Sequence, residues 1–351
     1  MPTVNPKISV CIPAYNRPEV LSPLLNSILS QDFTHFEIII CEDNSLRRAE
    51  IAAIARKYAE KFPGLVRYLE NETNLGYDGN LRNLITLAKG EYCLFMGNDD
   101  LMCPGALAKV ASAVERYNNV GVVLRSYASF EGTPEDIVQT FRYFDKELFF
   151  PAGPQTVVTF YRRSVVISGM VIHRQEALKY STDRFDGTLL YQLYLVANLL
   201  TKMNGVSLPD ILVLYRNGGV PDFGNSEKEK GKFVPKVQTP ESSLTFIKGM
   251  LEIARFVETT RKVPIYKNIV RDIGNYSYPI LSIQSGQPVS VFMSYSCRLA
   301  RMGFWRNKMF YVYFFLLLVL GARRVDKMIG YIKARLGHTP SLGKVYRGGS
   351  L

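Results

Sequence analysis

The chain has 351 residues, 47% of them hydrophobic, with a formal net charge of +12, which is ample core for one large domain and an appended segment. Its three histidines (His35, His173, His338) and five cysteines without metal-ligand spacing (Cys11, Cys41, Cys93, Cys103, Cys297) argue against a zinc centre or a histidine-based triad; the cysteines read as reduced packing residues. The charge is local: residues 298–351 hold eleven Lys or Arg against Asp326 alone and carry +10 of the +12.

Residues 7–17 (KISVCIPAYNR) read as a short buried strand running into a loop. A helix follows from Pro18, where proline suits a first helical position and Val20, Leu21, Leu24, Leu25, Ile28 and Leu29 recur at helical spacing. Residues 36–41 are apolar apart from Glu37 and end in Glu42-Asp43-Asn44-Ser45, and 49–62 have helical periodicity. A third strand, 65–69, leads through Asn71-Glu72-Thr73-Asn74-Leu75-Gly76 to a helix over about residues 80–88. The fourth strand, 92–96, stops at Gly97-Asn98-Asp99-Asp100 ahead of a helix expected from Pro104. This repetition predicts a parallel sheet with helices on both faces, because parallel crossovers need a helix-sized connection. Carboxylates at strand ends would then lie in the crevice where such sheets take ligands, and hard oxygens suit Mg²⁺ or Mn²⁺ carrying a phosphate. Taken alone, the Asp99-Asp100 pair is more simply a solvated turn with Asp100 or Asn98 capping the next helix.

Residues 120–127 form a further strand, whereas 128–154 mix Gly, Pro, acids and aromatics and read as an inserted or acceptor-facing loop region. The last strand is expected near 211–215, with Arg216 at its end able to clamp phosphate oxygens bidentately. Residues 218–240 read as a flexible loop, whose Lys228, Lys230 and Lys232 either touch a diphosphate or form a solvated charge run. Two or three packed helices are expected over 241–295. Next comes the uncharged stretch 309–322, collared by Arg306, Lys308, Arg323 and Arg324. As a helix it spans roughly 21 Å against about 30 Å of bilayer hydrocarbon, which favours in-plane or re-entrant insertion over crossing. Trp305 and the tyrosines suit the headgroup level, and the cations suit anionic lipids; a buried core or oligomer-interface helix is the plainer alternative. Ile329, Tyr331, Ile332 and Leu336 mark a basic amphipathic helix beyond. The N-terminus lacks a basic-plus-apolar signal, so a cytoplasmic location is expected.

VCIPAYNR, EDNS, NLG and FMGNDDLMCPGAL, in that order over residues 7–124, resemble the nucleotide-binding half of a family 2 glycosyltransferase of the GT-A fold. More loosely, FDGTLLYQ (185–192) and YRN (215–217) resemble bacterial surface-polysaccharide enzymes of the abequosyltransferase-like type. The resemblance implies an α/β, mostly parallel sheet flanked by helices. Together with the residue patterns above, this divides the chain into a catalytic domain, 1–239 (nucleotide-binding half 1–127, acceptor half 128–239), and a helical region, 240–351, containing a membrane-associating segment, 298–336. The resemblance makes Pro13, Tyr15, Arg17, Asn74 and Asn98 part of the nucleotide pocket, Asp43 the carboxylate accepting from the base, and Asp99 with Asp100 the ligands of Mg²⁺ or Mn²⁺. The chain departs from the family pattern in two places. Gly97 stands at the first position of Asp-x-Asp-Asp, and Tyr191-Gln192 aligns with an acidic pair. Gln192 cannot take a proton, so Asp186 is the candidate base, with Asp183 and Asp222 behind it; equally, Asp186 caps a helix starting near Thr188.

The expected activity is inverting transfer of a sugar from a nucleotide-diphosphate donor to a polyprenyl-diphosphate-linked glycan, at the cytoplasmic face of a bacterial inner membrane, in O-antigen or capsule synthesis. The protein would be peripheral or monotopic. A nucleotidyltransferase or dinucleotide enzyme would carry a glycine-rich loop after the first strand, and Pro13-Ala14-Tyr15-Asn16-Arg17 has no glycine. A noncatalytic scaffold of the same fold remains the alternative from another class. Nucleic acid is not an expected partner, since the positive charge flanks a hydrophobic run.

Overall fold

Alternation along the first strand sorts the molecule into two faces. In β1 (Ile8–Ala14), Ile8, Val10 and Ile12 enter one hydrophobic cluster and Cys11 enters the other, as the period of two requires. The computed structural model describes residues 6–218 and 222–336, excluding the side chains of 333 and 334. The end of the basic tail, 337–351, falls outside these residues.

After β1 come α1 (Pro18–Leu29), β2 (Phe36–Glu42), α2 (Arg48–Lys61), β3 (Val66–Glu70), α3 (Gly76–Leu87), β4 (Tyr92–Phe95), β5 (Leu101–Met102) and α4 (Ala106–Arg116). The second half holds β6 (Val120–Phe130), β7 (Ile137–Phe141), β8 (Leu148–Phe150), α5 (Pro154–Tyr161), β9 (Val171–His173), α6 (Arg174–Leu178), α7 (Tyr191–Leu199) and β10 (Asn204–Arg216). Five helices follow: α8 (Pro240–Arg261), α9 (Tyr266–Asn275), α10 (Tyr278–Ser282), α11 (Val289–Arg301) and α12 (Lys308–Leu320), and the described chain ends in α13 (Ala322–Leu336).

One sheet runs β3-β2-β1-β4-β9-β6-β10-β5, with β7 beside β6 and β8 beside β10. Pairing is parallel from β3 to β4 and between β6 and β10; β9 lies antiparallel between β4 and β6. Helices α1, α2 and α4 cover one face, and α3, α5, α7 and α8 the other. The second cluster continues without a break through Phe292, Tyr295, Leu299, Phe304, Phe310 and Val325, so the C-terminal helices share the sheet's core. A buried ion pair adds to this contact: Arg162 Nε lies 2.8 Å from Asp272 on α9, and its guanidinium is 3.8 Å from the centre of the Tyr276 ring.

The region 128–154 is more regular than its composition implied. Ala128–Phe130 continues β6, and β7 and β8 pair antiparallel with β6 and β10. Because β7 is solvent-exposed except at Phe141, it carries no alternation of burial to read. Likewise β10 begins at Asn204, seven residues before the expected start; a register shift between Ser207 and Ile211, around Pro209 and Asp210, breaks its apolar pattern. Four helices, counting α11, occupy the stretch where two or three were expected.

The helix expected at Thr188 starts at Tyr191, and its approach loop is held by α3 rather than by its own cap. Asp78, 1% exposed, accepts the backbone N–H groups of Thr188 (2.9 Å), Leu189 (2.8 Å) and Tyr191 (2.8 Å). One turn on, Arg82 grips Asp186 with both Nη atoms, at 2.5 and 2.8 Å, and donates to the Thr182 carbonyl at 3.0 Å. These bonds hold Leu189 at φ +65°, a conformation side chains rarely adopt unless their surroundings impose it. Asp78→Ala strands three buried donors and is expected to cost about 3 kcal/mol of stability. Chemical denaturation measures it, and an unchanged midpoint would show that the loop holds itself.

Candidate functional site

At the end of β4 the backbone turns sharply, with Asp100 N–H donating to the Gly97 carbonyl. Asp100 is 1% exposed and both its oxygens are used: Oδ1 accepts the Arg216 backbone N–H at 2.9 Å, and Oδ2 accepts the Ser168 hydroxyl. The Ser168 oxygen in turn accepts the Gly97 N–H at 2.8 Å. Burial first, and the neighbouring Asp99 second, push Asp100 up to about 7. A Cβ on Gly97 would lie 3.0 Å from Asp100 Oδ2 and 3.1 Å from Ser168 Oγ, so this brace leaves no comfortable room for the acidic residue the family pattern places there.

Asp99, by contrast, presents its carboxylate to a cavity of about 350 Å³. Its carboxylate pairs with Arg17, and its carbonyl accepts Arg216 Nε at 3.0 Å. Arg17 reaches it because Asn16 and Arg17 both adopt left-handed backbone, φ +51° and +55°, just before Pro18 starts α1. Asn98 joins the same loop, donating Nδ2 to the Asn16 carbonyl at 3.2 Å. Among the described residues no group of three or more His, Cys, Asp or Glu could hold a metal ion. Asp99 and Asn98 are the oxygen-bearing side chains at this turn that could hold a divalent cation, with further oxygens from a ligand and water completing its shell.

Two strands away, Asp43 follows β2. Its Oδ1 accepts Asn71 Nδ2 at 2.7 Å and the Leu75 N–H at 2.9 Å, and Asn71 itself is fixed by Asn83 and Asn80. Burial pushes the Asp43 carboxyl up to about 6, with Glu229 adding to the rise and the Asn71 and Leu75 donors opposing it. The preceding Glu42 is spent on the backbone of Asn44 and Ser45 and on Arg48. That shapes the loop and leaves Asp43 as the carboxylate that faces the cavity.

Pro13, Tyr15, Arg17, Asp43, Asn74, Asn98, Asp99, Asp100 and Arg216 all line this one cavity. Asp186 does not: held by Arg82, it anchors the loop before α7 and neither faces the cavity nor caps the helix. Asp183 is also away from the lining, while Asp222 is part of it and accepts Asn16 Nδ2 at 3.0 Å. Lys228, Lys230 and Lys232 stay outside the lining. Their acidic neighbour Glu229 is buried within it, accepting the N–H groups of Tyr77 (2.8 Å) and Gly224 (2.9 Å) and seating the 222–233 segment over the start of α3. Sequence reasoning missed Glu229 because it sits inside a run of charges.

Missed too was the strip 165–168, an aliphatic stretch with no motif. Behind it Arg125, fully buried, donates Nη2 to the Val166 carbonyl at 3.0 Å.

Residues 9–181 match the family model for glycosyl transferase family 2. The chain is 36% identical over 101 residues to abequosyltransferase RfbV of Salmonella typhimurium, covering 29% of this chain and 30% of that one. It is 32% identical over 116 residues to the GalNAc(5)-diNAcBac-PP-undecaprenol beta-1,3-glucosyltransferase of Campylobacter jejuni, covering 33% and 37% respectively. In these alignments the chain spans well under half the length of the curated relatives it matches. Among solved structures, Staphylococcus aureus TarS 1–349 in complex with UDP-GlcNAc superposes with a TM-score of 0.57 at 18% identity, over 95% of this chain and 92% of that one; this likeness is one of fold. Over residues 9–181, a little under half of the chain, the match is to glycosyl transferase family 2, and the fold is of the GT-A kind.

Proposed function

We propose that the protein transfers a sugar from a nucleotide-diphosphate donor to a lipid-linked glycan in bacterial surface-polysaccharide synthesis, with inversion at the anomeric carbon. The observation that carries this reading is the convergence of Asp43, at the end of β2, and Asp99, at the end of β4, on one cavity. The names of the relatives support the acceptor class, one being an abequosyltransferase and another acting on a PP-undecaprenol glycan. In this reading Asp43 accepts an N–H from the base, with Pro13, Tyr15 and Asn74 around it. Arg17 and Arg216 meet phosphate oxygens, and Asp99 with Asn98 holds Mg²⁺ or Mn²⁺. Such an ion would stabilise charge developing on the leaving diphosphate. The acceptor oxygen bonds to the anomeric carbon as the bond to the diphosphate breaks, and the hydroxyl proton passes to a carboxylate. Of the three acids considered for that step, Asp222 is the one lining the cavity, and the role is assigned to it. Asp100 braces the turn instead of binding the ion directly.

A membrane surface is the proposed setting. Along α12, Tyr311, Val312, Phe315, Leu318 and Val319 are exposed, the last at 73%, while only Phe310 and Leu317 are buried. Met328, Tyr331 and Ile332 extend the exposed stripe along α13, and Trp305, Arg306, Arg323, Arg324 and Lys327 flank it, all solvent-facing. Among the described residues no helix is long and apolar enough to cross a membrane. An apolar stripe with cationic edges suits in-plane seating on anionic lipid, and it would hold the enzyme where a polyprenyl-linked acceptor resides.

Asp99→Ala should abolish turnover while thermal unfolding stays within a few degrees of the parent. Asp222→Asn should lower kcat about 10²- to 10⁴-fold with donor affinity nearly unchanged; full kcat would remove Asp222 from the chemistry. Because Asp43 must be ionised to accept from a base, nucleotide affinity should be complete above pH about 6 and weaken as pH falls through that value. Calorimetry at pH 7.5 and 5 tests the dependence, which Asp43→Asn should flatten. On the membrane side, Phe315→Glu with Val319→Glu should abolish sedimentation with vesicles containing anionic lipid. Retained sedimentation would assign the stripe to another partner.

A further inference from the structure

The sheet's strand order gives the cavity a direction. Moving across the strand ends from β2 through β1 to β4, the lining passes Asp43, then Tyr15 and Arg17, then Asp99. The next strand is β9, antiparallel to β4, so its leading segment lies beside the end of β4. The Gly169 N–H donates to the Phe95 carbonyl at 2.7 Å, and Ser168 accepts the Gly97 N–H. If Asp43 takes the base and Asp99 the diphosphate, as proposed above, the sugar of an extended donor falls against residues 165–168 and what faces them.

That end of the cavity is poor in hydrogen-bonding groups. Its walls are Val165, Val166, Ile167, Leu189 and Phe246. Ser168 is spent on Asp100 and on the Gly97 N–H. Gln192, 1% exposed, directs Nε2 to the Val165 carbonyl at 3.0 Å, and its Oε1 makes no hydrogen bond within the protein. A fully hydroxylated hexose pressed against this wall would bury hydroxyls without partners, which is costly, whereas a methyl group would gain by burial.

We infer that the donor sugar carries a methyl group, either the C6 methyl of a 6-deoxyhexose or that of an acetamido group, set against the 165–167 wall. The inference rests on the nucleotide-sugar reading and narrows it to a substrate class. Five apolar side chains supply the wall.

The test compares donors in pairs that share a nucleotide and a ring configuration, so that only the methyl-bearing group differs: UDP-glucose with UDP-N-acetylglucosamine, dTDP-galactose with dTDP-D-fucose, and GDP-mannose with GDP-D-rhamnose. The full chain is assayed for nucleotide diphosphate release with membrane extract as acceptor, and each donor's affinity is measured by calorimetry. In the pair bearing the accepted base, the methyl-bearing donor should be favoured about tenfold or more in kcat/KM. Preference in the UDP pair identifies the acetamido methyl, and preference in the dTDP or GDP pair the 6-deoxy methyl. Ile167→Asn should shrink that ratio while the affinity for the bare nucleotide diphosphate, which reports folding, holds; an unchanged ratio counts against the wall. Equal or better use of the fully hydroxylated member in every accepted pair overturns the inference and leaves the transferase reading intact. Failure of all six donors to bind sinks both.

Discussion

Two adjacent aspartates with opposite surroundings organise the site. Asp100 lies under the turn with each oxygen occupied, one by a serine hydroxyl from the strip before β9 and one by the backbone of Arg216 at the end of β10. It thereby fastens three separated segments at the carboxyl end of β4. Fixing these segments determines where Asp99 can point, how closely 165–168 approaches, and how Arg216 reaches the same turn through the Asp99 carbonyl. Removing water from Asp100 is what lets one carboxylate serve as a brace while its neighbour keeps a face to the cavity, since a buried acid holds its place only when its oxygens are satisfied.

The far side of the cavity is ordered by α3 through a different set of contacts. Asp78 and Arg82, four residues apart and therefore on one helix face, take the backbone of the loop before α7 and the carboxylate of Asp186. Glu229 ties the 222–233 segment to the start of the same helix, at the Tyr77 N–H. Close approach completes the arrangement: a Cβ on Gly187 would stand 2.0 Å from the Lys228 carbonyl oxygen, and one on Gly76 2.5 Å from Ser226 Oγ. Only glycine permits those distances, and at both positions φ is also positive. A single helix thus positions two walls, neither adjacent to it in sequence.

The C-terminal helices belong to the same mechanical unit as the transferase fold. Their buried residues merge with those of α5, α7 and α8 into one cluster. The Arg162–Asp272 pair joins α9 to the segment that leads directly into residues 165–168. The apolar surface that α12 leaves uncovered is then a property of a helix well packed on its other side, through Phe310 and Leu317, which is how a rigid body would present a stripe to lipid.

The run from β1 to β4 was legible in the amino-acid sequence because its signals are local. Apolar alternation sets each strand, and the residues that end β1, β2 and β4 fall at the cavity by the geometry of a parallel sheet alone. Asp99 could be placed from its strand end, and Pro13, Arg17 and Asp43 from the family resemblance of the short motifs that carry them, without knowing any long-range contact. The role of Asp186 could not: its partner Arg82 lies 104 residues earlier, and a Phe-Asp-Gly turn has the same appearance whether its acid caps a helix, takes a proton or binds an arginine. The aliphatic strip 165–168 and the buried Glu229 were equally silent, one lacking any motif and the other hidden among charges. Sequence determined which chemical groups stand at the strand ends; tertiary structure decided which of them face the cavity, because burial and hydrogen-bond occupancy depend on segments that meet only when the chain is folded.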